Sequence, residues 1–168
     1  MRNFGPYPSS MEVCLPIGGE NPWGRRSPKT RRQGNFMTIK ARRPSIRILL
    51  VDDDPLICTL GRKLLENLGY RVDVARAGAE ALRLYRKRRR PDLVILDYHL
   101  PGDSGSHILE QLKDLDPEVR VLLASGFLPP QEVAQLRKQG ACGLILKPFR
   151  LRELETRIRQ ILAGQVGF

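Results

Sequence analysis

From Ile46 onward the chain alternates short apolar runs with stretches whose apolar residues recur at helical spacing, and this alternation restricts the fold more than any other feature. The runs are Ile46 to Val51, Val72 to Ala75, Leu93 to Leu96, Val119 to Ala124 and Leu144 to Leu146. Most read as continuous apolar text, as strands covered on both faces by helices do. The second differs: Val72 and Val74 alternate with Arg71 and Asp73, which suits a strand at the edge of a sheet. Between the runs, Leu56, Leu60, Leu64 and Leu68 recur every fourth residue up to Gly69 and predict a first helix. Four further stripes follow: Ala81, Leu82 and Tyr85; Ile108, Leu112 and Leu115; Val133 and Leu136; and Leu151, Leu154, Ile158, Ile161 and Leu162. The pattern predicts an α/β domain of five parallel strands and five helices.

The polar residues that interrupt this pattern fall where a run ends. Asp52 and Asp53 follow the first run, Asp97 the third, Ser125 the fourth and Lys147 the fifth. In an open parallel sheet the carboxyl ends of the strands share one edge, and ligands bind there where strand order reverses. Residues far apart in sequence therefore converge. Three carboxylates brought together repel, and their pKa values rise unless a cation shares the site. A hard divalent ion answers this. Magnesium keeps several waters and takes one or two carboxylates with phosphate oxygens, which matches Asp53 and Asp97 as direct ligands and Asp52 through water. Lys147 adds a compact positive charge and Ser125 a hydroxyl donor, both suited to the oxygens of a transferring phosphoryl group. Simple capping of helix amides by these acids is the bland alternative, and their joint placement weighs against it. Asp54, ahead of Pro55, does read as a helix cap. Neither His99 nor His107 is assigned a side-chain role in chemistry.

The stretches LLVDDDP, LVILDYHLPGDSG, VLLASG and LILKPF resemble the four signatures of the response-regulator receiver domains of bacterial two-component systems, over roughly Ile46 to Leu162. The resemblance implies a doubly wound, flavodoxin-like five-stranded parallel sheet in the order 2-1-3-4-5 with helices on both faces. It implies Asp97 as the acceptor of a phosphoryl group from a histidine kinase, with Mg²⁺ held by Asp53, Asp97 and the backbone carbonyl of His99. Ser125 and Lys147 would report phosphorylation, and Lys147–Pro148 would be a cis peptide. The implied function is a signalling switch that catalyses only its own phosphorylation and dephosphorylation. Its partners would be a sensor histidine kinase or phosphotransfer protein, and a downstream protein that recognises an altered surface near the fourth helix, fifth strand and fifth helix. With the sequence ending at Phe168, soon after the fifth helix, it resembles the stand-alone, chemotaxis-regulator-like type. One position departs from the family: three residues before the lysine, where receivers carry an aromatic switch, stands Leu144.

Two other functions compete. A haloacid-dehalogenase-like phosphatase also uses a strand-end Asp, Mg²⁺, a hydroxyl residue and Lys, but its second acid would fall two residues after Asp97, where His99 stands. The other competitor is nucleic-acid binding through the N-terminal tail. Residues 1–45 mix Pro, Gly, Ser, Asn and Arg without period, and nine basic side chains against Glu12 and Glu20 give them +7 of the formal +11. They read as a disordered basic tail preceding a receiver at 46–168, and a start at Met37 would remove most of it. Nucleic acid is an expected partner only through that tail. The run Arg86 to Arg90 reads as a solvated helix end favoured by the helix dipole. Neither an apolar window of membrane-spanning length nor a signal-type h-region occurs, so a cytoplasmic protein without membrane contact is expected. Cys14, Cys58 and Cys142 form no CxxC pair, so neither a disulfide framework nor a zinc site is indicated.

Overall fold

The computed structural model describes residues 46–168 apart from Arg88; the basic segment 1–45 and the alternative start at Met37 lie outside the described residues. In chain order the elements are β1 (Arg47–Val51), α1 (Pro55–Asn67), β2 (Arg71–Ala75), α2 (Gly78–Tyr85) and β3 (Leu93–Asp97). There follow β4 (His99–Leu100), β5 (Asp103–Ser104), α3 (Gly105–Leu115), β6 (Val121–Ser125), α4 (Pro130–Lys138), β7 (Gly143–Leu146) and α5 (Leu151–Leu162). The five longer strands form a parallel sheet in the order β2-β1-β3-β6-β7. Setting aside the two-residue hairpin β4–β5, this is the doubly wound order 2-1-3-4-5.

Strand residues alternate between two cores because successive side chains point to opposite faces. Leu49, Val51, Val94 and Leu96 join Ile108, Leu109 and Leu112 of α3 and Leu136 of α4 on one face. Ile48, Leu50, Leu93 and Ile95 join Leu65 of α1 and Leu154, Ile158 and Ile161 of α5 on the other. The alternating second run is an edge strand, as its pattern predicts, and Asp73 on it pairs with Arg47 of β1 at 2.9 Å. No helix among the described residues is long and apolar enough to cross a membrane.

Three details differ from the sequence reading. The leucines that mark α1 do not form its packed face: Leu56, Leu60 and Leu64 are 63%, 50% and 41% exposed, whereas Cys58 and Leu65 are buried. Gly61 sets this orientation, since a Cβ there would lie 2.7 Å from Leu50, so the helix approaches the sheet along its glycine side. Val119 is buried but precedes β6. Its N–H donates to Asp116 and its carbonyl accepts from Lys113, so its backbone is committed to a turn before the ladder begins. The hairpin β4–β5 was not expected, because two-residue strands show no apolar period.

Candidate functional site

The strand register builds the site. Val51 lies opposite Leu96, so Asp52 and Asp97 emerge at the same level of the sheet. Asp97 lies opposite Ala124 and Ser125 opposite Leu146. Ser125 therefore stands one residue above the acids and Lys147 two, and the long lysine side chain reaches back down to them.

Lys147 Nζ donates to Asp52 Oδ2 at 2.7 Å and to Asp97 Oδ2 at 2.8 Å. Carboxylate oxygens of Asp52, Asp53 and Asp97 lie within 4.8 Å of one another. The remaining oxygens are also placed: Asp97 Oδ1 accepts from the His99 amide at 3.2 Å, and Asp52 Oδ1 from the Asp54 amide at 3.0 Å. The lysine is preceded by a backbone bond from its own N–H to the Ser125 carbonyl at 2.7 Å, and Lys147–Pro148 is cis. The fully buried Ser125 hydroxyl donates to the Phe127 carbonyl at 3.0 Å, inside its own loop. Asp54 caps α1 by accepting from the Leu56 amide at 2.7 Å, with Pro55 at the first turn.

Burial raises the Asp52 pKa above its ordinary value, and the bonds from Lys147 and the Asp54 amide offset this only in part. For Lys147, burial works against the charge, but the hydrogen bonds to Asp52 and Asp97 and their negative charge outweigh it and hold the ammonium above its usual range. The set therefore keeps a protonated lysine among three acids. One ammonium against three carboxylates leaves negative charge to spare, and every donor is oxygen. That donor set fits a hard dication such as Mg²⁺ and not a soft metal.

The structure brings Asp52, Asp53, Asp97 and Lys147 together, places Ser125 one level above, and puts His99 beside Asp97 with its ring edge-on to Tyr98 at 5.0 Å. It also adds neighbours that sequence reasoning did not single out. Arg76 donates to the Asp53 carbonyl at 3.2 Å. The Cys58 thiol donates to the Asp52 carbonyl at 3.0 Å. Tyr98 packs against the core and its hydroxyl donates to Glu132 of α4 at 2.9 Å. Gly105 allows α3 to start against the acceptor loop: a Cβ there would lie 2.7 Å from the Tyr98 Cα. The only signal for Tyr98 was an aromatic residue placed directly after a strand-end acid. Gly105 closes the LVILDYHLPGDSG stretch, where its only signal is a glycine directly before a helical stripe.

Comparison with known proteins agrees with this geometry. The family model of the response regulator receiver domain matches residues 48–159. The chain is similar to sporulation initiation phosphotransferase F of Bacillus subtilis, 32% identical over 116 residues that cover 69% of this chain and 93% of that protein. It is similar also to a putative transcriptional regulator of Pseudomonas aeruginosa, 37% identical over 73% of this chain, and it spans only 59% of that protein's length. Among solved structures, a CheY-like response regulator receiver domain protein from Methanospirillum hungatei superposes with a TM-score of 0.67 at 30% identity, covering 72% of this chain and 96% of that one. These matches set aside the phosphatase alternative.

Proposed function

The chain belongs to the response regulator receiver family, and from that premise we propose a phosphorylation-dependent signalling switch in which Asp97 takes a phosphoryl group from the phosphohistidine of a sensor kinase or phosphotransfer protein. The observation that carries this reading is the Lys147 ammonium bonded at once to Asp52 and Asp97, beside a third carboxylate. With one oxygen held by Lys147 and the other by the His99 amide, the Asp97 carboxylate is fixed before the donor arrives, so little ordering remains at the moment of attack. An Asp97 oxygen bonds to phosphorus as the phosphorus–nitrogen bond breaks, and the imidazole leaves with the electron pair. Mg²⁺ held by Asp53, Asp97 and the His99 carbonyl, with Asp52 through water, would offset the negative charge that repels an incoming phosphoryl group.

Lys147 then pairs with a phosphoryl oxygen in place of the Asp97 carboxylate. The Ser125 hydroxyl, which donates to the Phe127 carbonyl, donates to a second phosphoryl oxygen instead, which releases the loop between β6 and α4. Leu144, partly buried and packed on the core, has no rigid ring to report that exchange. The protein acts as a phosphoryl acceptor, catalysing only its own phosphorylation and dephosphorylation, in the cytoplasm, and its output is altered binding of a partner protein.

Incubation with acetyl phosphate and Mg²⁺ should label the protein on Asp97, and Asp97→Asn should abolish the label. Undiminished labelling of Asp97→Asn, or full labelling in excess EDTA, overturns the reading.

A further inference from the structure

Beyond α5 the chain turns at Gly164 and runs back along the open edge of β7. Leu144 N–H donates to the Gly167 carbonyl at 2.9 Å and Gly167 N–H donates to the Cys142 carbonyl at 2.8 Å, a parallel bridge between Gly143 and Gly167. An edge strand offers unpaired backbone groups to any extended chain, and here the protein's own residues take them. The opposite edge is managed differently: β2 presents Arg71 and the Arg47–Asp73 ion pair.

The fit on β7 is specific. Glycine inside a strand commonly marks close approach of another backbone, and a Cβ on Gly143 would lie 2.6 Å from the Gly167 carbonyl oxygen. Phe168 then lies against α4 with the Arg137 guanidinium 5.8 Å from its ring centre. It forms one wall of a 460 Å³ groove whose other walls include Pro130, Val133, Ala134, Arg137 and Lys138. Phe168 stays 36% exposed and Val166 63%. Gln165 N–H bonds back to the Gln160 carbonyl at 2.9 Å, and beyond it the segment is held on β7 and α4 by two backbone bonds and one aromatic contact, a hold that can be released. The groove's two cations also lack acidic partners: the ion pairs of the described residues include neither Arg137, which meets the Phe168 ring, nor Lys138.

We propose that β7 and α4 form a binding site for an extended peptide carrying an aromatic residue flanked by acids, and that Gln165–Phe168 occupy it as an intramolecular strap. The aromatic requirement comes from Phe168, the extended backbone from the Gly143–Gly167 bridge, and the acids from the cations at the end of α4. Such a partner adds a strand to β7, the recognition mode in which main-chain bonds give affinity and side-chain pockets give specificity. A tether this short presents the strap at an effective concentration in the millimolar range, so a partner must bring the additional ion pairs to displace it. This site does not depend on phosphoryl transfer at Asp97, and its test reads neither metal nor phosphate.

The experiment uses the full chain, with amide hydrogen exchange at Leu144 and Gly167. Phe168→Ala and Gly143→Ala should each speed exchange at Leu144 by about tenfold or more while Leu122 and Leu123 in β6 stay protected. Two synthetic peptides, Ala-Gly-Gln-Val-Gly-Phe and the same sequence followed by two aspartates, are then titrated into each protein. Phe168→Ala should bind the acidic peptide about tenfold or more tighter than the wild type does. It should also prefer the acidic peptide over the plain one, and adding Gly143→Ala should remove binding. Unchanged Leu144 exchange in both variants, no binding to Phe168→Ala, or equal affinity for wild type and Phe168→Ala would each overturn the proposal.

Discussion

Leu96 and Asp97 are neighbours in β3 and both are buried, yet they belong to regions of opposite character. In the middle of the sheet Ile48, Leu93, Leu96, Leu122 and Leu123 are shielded from water on both faces, and each contributes through packing alone. One residue further along, the same strands turn out Asp52, Asp53 and Asp97, and burial, with a smaller contribution from the Asp97 charge, raises the Asp52 pKa. The first region stabilises the fold whatever the protein does. The second gathers buried charge at the strand ends, which costs stability unless it is paired.

Truncation in the middle layer gives the largest expected loss. Leu96→Ala should lower the free energy of unfolding by about 2–5 kcal/mol in urea titration, through lost apolar contact and the cavity left behind. A loss below about 1 kcal/mol would mean that the layer rearranges freely, and the comparison with the strand ends would collapse.

Lys147→Met tests the ion that holds the strand ends together, and should cost about 1–3 kcal/mol by leaving buried carboxylates without their donor. Because the folded lysine has a raised pKa, its contribution is fully present below the unfolded value near 10.5 and is lost as pH rises through the folded value. The alkaline limb of the wild-type stability profile should therefore flatten in Lys147→Met. An identical limb in both proteins would mean that the Lys147 bridge contributes nothing to stability.

Asp52→Asn should act in the opposite direction and stabilise the protein by about 0.5–2 kcal/mol at pH 7, since it removes a buried charge and keeps the shape. A carboxyl with a raised folded pKa favours the folded state below its unfolded value of 3.8, and that preference is lost as pH rises through the folded value. The gain from Asn should thus be largest at neutral pH and shrink on acidification. Thermal melts across pH 4 to 8 read this, and a variant less stable than wild type at pH 7 would show that Asp52 is structural. The smallest effect is expected on α1: Leu60→Ser, on its exposed side, should shift stability by within about 0.5 kcal/mol.

Parts of this architecture were legible in the sequence because each rests on a local rule. Apolar runs closing on Asp52, Asp97, Ser125 and Lys147 announce strands whose ends share an edge, and the parallel register does the rest. Which face of a helix packs is less local. The stripe from Leu56 to Leu64 marks a helix correctly but not its buried side, which Gly61 and Leu50 decide together across the two elements. The strap on β7 was illegible for a related reason: Gln165–Phe168 have no period, and their partner Gly143 is distant in sequence. Long-range pairs between single residues, such as Tyr98 with Glu132, leave no mark on either segment.

That last pair has a consequence for how strands and helix communicate. Tyr98 is joined to Asp97 by one peptide bond and to α4 by one hydrogen bond, and burial followed by the Glu132 contact raises its pKa, so the phenol keeps the proton it donates across the physiological range. Coupling of this kind is symmetrical in free energy. By whatever factor modification of Asp97 changes the balance between bonded and broken Tyr98–Glu132, locking or cutting that bond changes the equilibrium of modification by the same factor. If phosphorylation of Asp97 shifts that balance, a ligand that grips α4 near Glu132 should change how readily Asp97 is modified, by that same factor.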